Sequence, residues 1–325
     1  MRESDAIDRL RRIATAPEAR GLRDDVAVLD GLVISHDSIA QGVHFLADDP
    51  PESVGWKLVG MNLSDLAGKG ATPAGALLSL TLSGDGQWET KFLDGLEAAC
   101  KHYSLSLIGG DTLRLPDGAP RVLGMTVIGR AAGPVPDRSG GRAGDELWLV
   151  GTLGDAAAGL ARLRHSPRGA GPLVEAYRQP VPLLEAGKAL APVAHAMMDV
   201  SDGLLLDARR LGHASDCEIA IAIDALPLSS AFVAEHGDGL DARMFAATGG
   251  DDYALLAAMP AGFLPATLCL PAGTIITRIG TLPAGVSRLG LSWHGEAVDL
   301  PEKLGFEHDS ARHGSGPSSP LADRS

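Results

Sequence analysis

The chain is short of aromatic residues, of cysteine and of long apolar runs, and each shortage excludes something. Aromatics make up only 4% of its 325 residues, so its cores must be filled by Ala, Leu, Val and Ile. Cys100, Cys217 and Cys269 stand far apart, with no Cys-x-x-Cys or Cys/His spacing of a zinc site, and read as isolated reduced thiols. No run of about 18 apolar residues exists to span a bilayer, and Met1-Arg2-Glu3-Ser4-Asp5 lacks the apolar segment of a signal peptide. A cytoplasmic location without membrane partners is therefore expected. Basic residues are outnumbered, 28 Lys and Arg against 41 Asp and Glu, leaving a net charge of -13. That balance argues against a duplex nucleic-acid partner, which is held by neutralising its phosphates with Lys and Arg. A free nucleotide would need cations to mediate its binding.

The familiar nucleotide signatures are missing too. The search for GxxxxGK[ST] finds only Gly68-Lys69-Gly70, whose lysine is not followed by Ser or Thr. The dinucleotide fingerprint, the GxSxG elbow, HExxH and the protein-kinase loops are absent. What the chain does have is glycine, 41 residues of it, and six aspartate-bearing segments. These are Arg23-Asp24-Asp25, His36-Asp37, Ser64-Asp65-Leu66, Gly109-Gly110-Asp111-Thr112, Asp199-Val200-Ser201-Asp202-Gly203 and Gly249-Gly250-Asp251-Asp252. Any one of them is ordinary turn chemistry. Together they fit a divalent-metal site that holds polyphosphate, because Mg²⁺ binds through a few carboxylates plus substrate phosphates.

The length allows two globular domains. Hydrophobic spacing predicts a helix over 7–13, a strand over 32–35 that delivers Asp37 to a loop, and a helix from Val54 that Gly68 and Gly70 break. A strand over 77–82, a helix over 92–103, a strand over 105–108 ending at Gly109-Gly110-Asp111, and a strand over 121–129 follow. Residues 131–144, with two Pro and four Gly, read as a linker. Beyond it come a strand over 146–150, a helix N-capped by Asp155, a helix over 203–213, and strands over 218–223, 253–259 and 274–279. Residues 310–325, rich in Ser, Gly, Pro and Asp, read as a mobile tail.

Several segments then carry a family resemblance: Gly42-Val43-His44-Phe45, Asn62-Leu63-Ser64-Asp65-Leu66-Ala67, Gly70-Ala71-Thr72-Pro73, Leu107-Ile108-Gly109-Gly110-Asp111-Thr112, Gly151-Thr152-Leu153-Gly154-Asp155, Asp199-Val200-Ser201-Asp202-Gly203-Leu204 and Leu226-Pro227-Leu228-Ser229. In this order, from about residue 20 to about residue 308, the chain resembles the thiamine-monophosphate kinase family of the aminoimidazole ribonucleotide synthetase-like superfamily. The Gly-Gly-Asp and Asn-Leu-Ser-Asp elements mark the superfamily. Gly42 to Phe45 together with Asp199 to Leu204 points to the thiamine branch.

The resemblance implies a two-domain α/β fold: an N-terminal domain over 1–137 that pairs with its twin in a homodimer, and a C-terminal α/β domain over 138–309. It implies direct transfer of the γ-phosphoryl of ATP to thiamine monophosphate, assisted by several Mg²⁺ ions, with no covalent phosphoenzyme. The absence of a catalytic nucleophile agrees, since phosphoryl transfer asks mainly for positioning and charge neutralisation. The implied metal ligands are Asp24 or Asp25, Ser35, His36, Asp37, Asp65, Asp111, Asp199 and Asp202. ATP is expected at Gly110, Asp111, Arg138 and Ser201, and the thiamine phosphate at His44, Asp251 and Phe306.

The chain also departs from the family pattern. Arg23 replaces a glycine before the acidic pair, His36 a small hydroxyl residue, Gln41 a glutamate, and Asp251 a glutamate one methylene longer. Phe306 stands where Trp or Tyr is frequent. These changes keep two rivals in view: another ATP-dependent enzyme of the superfamily, and a nucleotide-binding protein that has lost turnover.

Overall fold

The structure is a computed structural model and describes residues 3–307. The sequence-predicted tail at 310–325, and His308, lie outside the described residues. The chain begins with α1 (Glu3–Arg11), β1 (Ala27–Leu29), β2 (Leu32–Ala40), α2 (Pro51–Ala67), β3 (Ala71–Leu82), α3 (Gly86–His102), β4 (Leu107–Arg114) and β5 (Val122–Ala131). These strands form one sheet in the order β1-β2-β5-β3-β4. β3 and β4 pair in parallel across the α3 connection, and the other neighbours are antiparallel.

The second half runs β6 (Glu146–Val150), α4 (Asp155–His165), α5 (Pro172–Arg178), α6 (Leu184–Leu190), β7 (Ala196–Val200), α7 (Leu204–Ser215), β8 (Ile219–Ala222), α8 (Ser230–His236), α9 (Leu240–Thr248), β9 (Ala254–Met259), β10 (Ile276–Thr281), β11 (Leu289–Trp293) and β12 (Glu296–Val298). Its sheet has the order β12-β11-β8-β10-β6-β9-β7. The fold is mixed α/β, as expected. No helix among the described residues is long and apolar enough to cross a membrane.

Helix α2 sets the geometry of the site. Pro51 opens it where its missing N–H costs nothing, Glu52 complements the positive end, and Gly68 and Gly70 follow its last turn. It is buried on nearly every side, polar residues included. A helix buried all round must be sandwiched between layers. One face packs on the first sheet through Leu58, Leu63 and Leu66, and its C-terminus abuts the second sheet. There a Cβ on Gly68 would sit 2.9 Å from the Asp199 nitrogen, so only glycine admits so close an approach. β7 is an edge strand, yet all five of its residues are buried, because it lies against α2.

The other face of the first sheet is open. Strand alternation puts His36 and Ser38 of β2, Val122 and Thr126 of β5, Leu77 and Ser79 of β3, and Asp111 and Leu113 of β4 on that face. Leu77, Leu113 and Val122 are 39%, 44% and 45% exposed, and every residue of the edge strand β4 is exposed.

Two expectations need correcting. β2 continues to Ala40, so Asp37 lies within the strand and not in a loop after it. β4 likewise runs through Gly109-Gly110-Asp111 to Arg114. β2 is buried on its α2 side alone and every residue of β4 is exposed, so neither stretch carries a continuous apolar run to its end.

Candidate functional site

The alternation of β2 divides the predicted ligands between two faces. Ser35 points towards α2 and donates a short hydrogen bond to Asp65. Asp37 shares that side. His36 points the other way, with Nδ1 2.9 Å from Thr126 Oγ1 and Nε2 3.3 Å from Ser38 Oγ. The structure therefore does not bring His36 to the acids on the α2 side.

The Asn62-Leu63-Ser64-Asp65 segment, at the end of α2, ties both sheets to one point. Asn62 Oδ1 accepts the Asp37 amide at 3.0 Å, and its Nδ2 donates to Leu58 O at 2.8 Å. Ser64 Oγ donates to Asp199 Oδ2 at 2.6 Å. Leu63 is core. Asp25, Asp65 and Asp199 each place a carboxylate oxygen within 4.8 Å of the others. Asp25 Oδ2 is buried with no hydrogen bond from the described residues, the Lys69 ammonium standing 3.4 Å away.

Such crowding is electrostatically costly. Burial, reinforced by Asp37, Asp199 and Asp25, pushes the Asp65 carboxyl well above its usual range. Burial and the Asp25 charge push Asp199 up to about 8, and burial with Asp25 and Asp202 pushes Asp37 up to about 6. Burial would raise Asp25 as well, but Arg138 and Lys69 outweigh it and hold that group low. Three convergent hard oxygens fit a divalent cation such as Mg²⁺, which would reverse this logic by stabilising the ionised acids.

Of the acidic pair, Asp25 joins the cluster. Asp24 is committed elsewhere, 2.5 Å from Arg20 and 2.6 Å from Lys69. Arg138, expected at phosphate, pairs with Asp25. Asp202 lies 2.5 Å from Arg210, and Asp207 Oδ2 accepts the amides of Ser201 and Asp202 at 3.1 Å each. The sequence reading missed Arg20, Lys69, Asp207 and Arg210. Lys69 meets Asp24 from 45 residues away, while Arg20, Asp207 and Arg210 have partners three to eight residues away at spacings no motif marks.

Asp111 and Gly110 are not in this cluster. Three strand spacings separate β4 from β2, about 14 Å at roughly 4.8 Å each, and Asp111 sits on the open face. The glycine at 110 has a local cause: with φ +152° a Cβ would lie 2.1 Å from Leu78 O. Asp155 is not the N-cap of α4. Gly154 holds that position and donates its amide to Asp252 Oδ1 at 2.9 Å, while Asp155 accepts from Ser229 and Thr152 hydroxyls.

A cleft of about 490 Å³ opens beside the acids. Asp37, Ser201 and Asp202 line it together with His44, Asp251 and Phe306, and Met61, Leu160 and Phe245 add apolar surface. His44 Nδ1 accepts the Ala40 amide at 3.1 Å, so a neutral ring carries its proton on Nε2. Asp251 has φ +66°, and is held by Lys57 Nζ at 2.6 Å and Tyr253 Oη at 3.0 Å.

Both halves of the chain match known proteins. Residues 23–131 match the family model of the AIR synthase related protein N-terminal domain, and 142–258 that of its C-terminal domain. Thiamine-monophosphate kinase of Escherichia coli (strain K12) is 37% identical over 303 residues, covering 89% of this chain and 91% of the relative. The chain belongs to the thiamine-monophosphate kinase family. The Caulobacter vibrioides thiamine-monophosphate kinase is 35% identical, with 94% of this chain and 90% of the relative covered. A solved structure of AaThiL complexed with AMPPCP and TMP superimposes with a TM-score of 0.82 at 29% identity, covering 94% of this chain and 97% of that one. Within the thiamine-monophosphate kinase family, the departures at Arg23 and His36 leave the α2-side acid cluster assembled.

Proposed function

We propose that this chain phosphorylates thiamine monophosphate to thiamine diphosphate, with ATP as donor, in the cleft beside the acid cluster. One observation carries the reading: His44, Asp251 and Phe306 line the same cleft as Asp37, Ser201 and Asp202. On this reading acceptor and phosphoryl positions would be adjacent. The AaThiL complex with AMPPCP and TMP supports the same pair of ligands.

Phe306, 46% exposed, with Met61, Leu160 and Phe245, offers apolar and aromatic surface to the thiamine rings. The acceptor phosphate oxygen then attacks the γ-phosphorus in line, the bond to the β-phosphate oxygen breaks, and ADP leaves. Asp25, Asp65 and Asp199, with Asp37 beside them, would hold Mg²⁺, which would neutralise the polyphosphate charge when bound. Asp207 fixes the Ser201 and Asp202 amides, and Arg210 steadies Asp202.

Asp111 and His36 enter through assembly. The open face carries exposed Leu77, Leu113 and Val122, and β4 is an unpaired edge. Such a surface calls for cover. A second copy packed face to face would form a homodimer and carry its Asp111 and Gly110 towards the first copy's His36, across β2 from Asp37. A cytoplasmic setting, where ATP is abundant and thiols stay reduced, belongs to the same proposal, as does a domain boundary near residue 137.

The test is phosphate transfer from ATP to thiamine monophosphate, free thiamine and aminoimidazole precursors, with product identity as readout. Thiamine diphosphate should form from the monophosphate alone. Turnover only with another acceptor overturns the reading. Replacing Phe306 by Ala should raise KM for thiamine monophosphate several-fold, as loss of a ring contact of about 0.5–1.5 kcal/mol beyond its buried area implies, with KM for ATP nearly unchanged.

A further inference from the structure

The failed phosphate-loop lysine of Gly68-Lys69-Gly70 has a place of its own. Lys69 follows α2, and its side chain is fully buried. A lysine is almost never buried without partners. Here the ammonium lies 2.6 Å from Asp24 Oδ1 and 2.8 Å from Met197 O, with Asp25 Oδ2 at 3.4 Å. Its three hydrogens therefore have three oxygens to face. The Asp25 oxygen it faces is the one buried without a hydrogen bond, and Asp25 shares the 4.8 Å cluster with Asp65 and Asp199.

We propose that Lys69 is a tethered cation of the acid cluster, a positioning residue that acts through Asp25 by holding the carboxylates together and weakening the pull of Asp25 on a divalent ion. The inference rests on the reading of Asp25, Asp65 and Asp199 as metal ligands. Lys69 is not among the residues that line the cleft. At so short a separation in a buried site, one extra positive charge repels a divalent ion strongly. The chain thereby gains a cluster that tolerates loss of metal, and gives up part of its metal affinity. Arg20 and Arg138 pair with Asp24 and Asp25 from other directions, so the fold keeps counter-charges when Lys69 is changed.

The experiment is Mn²⁺ binding to the nucleotide-free full chain, followed by electron paramagnetic resonance, with melting temperatures measured with and without Mn²⁺. Lys69→Met keeps an unbranched side chain and removes the charge. Lys69→Gln also removes the charge but can still donate hydrogen bonds, and serves if the Met variant does not fold. Either variant should bind Mn²⁺ about tenfold more tightly than the natural protein, and should melt lower without metal but recover on adding it. Mn²⁺ affinity that is unchanged or weaker in the folded variants, while Asp25→Asn loses binding, overturns the role of Lys69 and leaves the metal site standing. If Asp25→Asn and the natural protein bind Mn²⁺ alike, the metal-site reading itself falls.

Discussion

Replacing Asp65 by Asn should reduce thiamine diphosphate formation by about 10²–10³-fold, the loss typical when one group stabilising transition-state charge is removed. The fold should not suffer. Asp65 is 8% exposed at the end of α2, and burial together with Asp37, Asp199 and Asp25 holds its carboxyl well above the usual range. A buried carboxylate with acidic neighbours destabilises the metal-free protein, and an amide of the same shape relieves that repulsion. The pH dependence gives an independent check. Asp37 and Asp199 are raised from the ordinary 3.8 to about 6 and about 8, so the folded chain binds more protons than the unfolded one. Metal-free stability must then fall as pH rises through this window. Mg²⁺, by binding the ionised acids, should flatten the slope. Asp65→Asn should melt above the natural protein at pH 8 without metal, gain less from Mg²⁺, and show a shallower slope. Calorimetric melts at pH 5 and pH 8, beside rate measurements, decide this. Unchanged turnover at saturating Mg²⁺ would make Asp65 structural.

The motifs that were legible are those whose residues act locally. Asn62, Ser64 and Asp65 share one helix end, so their spacing reads as a unit, and strand alternation after Leu32 could be counted. Which face each β2 residue takes was not legible, because that depends on where α2 packs, and so Ser35 and His36 read alike as ligands although they point to opposite sides. The strand legible over 105–108 stops short of Arg114 for a related reason: a strand exposed along its whole length has no apolar rhythm to follow. The counter-charges were the least visible part. Lys57 meets Asp251 from a position 194 residues away, and Arg138 meets Asp25 from 113 residues away. No local pattern encodes pairs of that separation. Only the folding of both sheets around α2 makes them neighbours.

Asp111→Asn should also abolish most activity, but in a way that distinguishes it from Asp65→Asn. Within one chain Asp111 lies three strands from β2 on the open face, while Asp65 lies on the α2 side. If a homodimer completes the site, each centre depends on Asp65 of one copy, on the α2 side of β2, and on Asp111 of the other, facing β2 from its open side. A dimer of one Asp65→Asn chain and one Asp111→Asn chain then has one centre with both defects and one with neither. Random exchange makes half of the dimers mixed, so a mixture of two nearly inactive variants should recover about one quarter of the natural activity. Unfolding and refolding the two together provides the exchange. Sedimentation should report a dimer throughout, and placing a charge in the exposed apolar surface, as Leu77→Glu, should give monomers without turnover. Should the mixture stay as inactive as its parts while mixed dimers are demonstrably present, Asp111 serves its own chain, and the open face of the first sheet has another purpose.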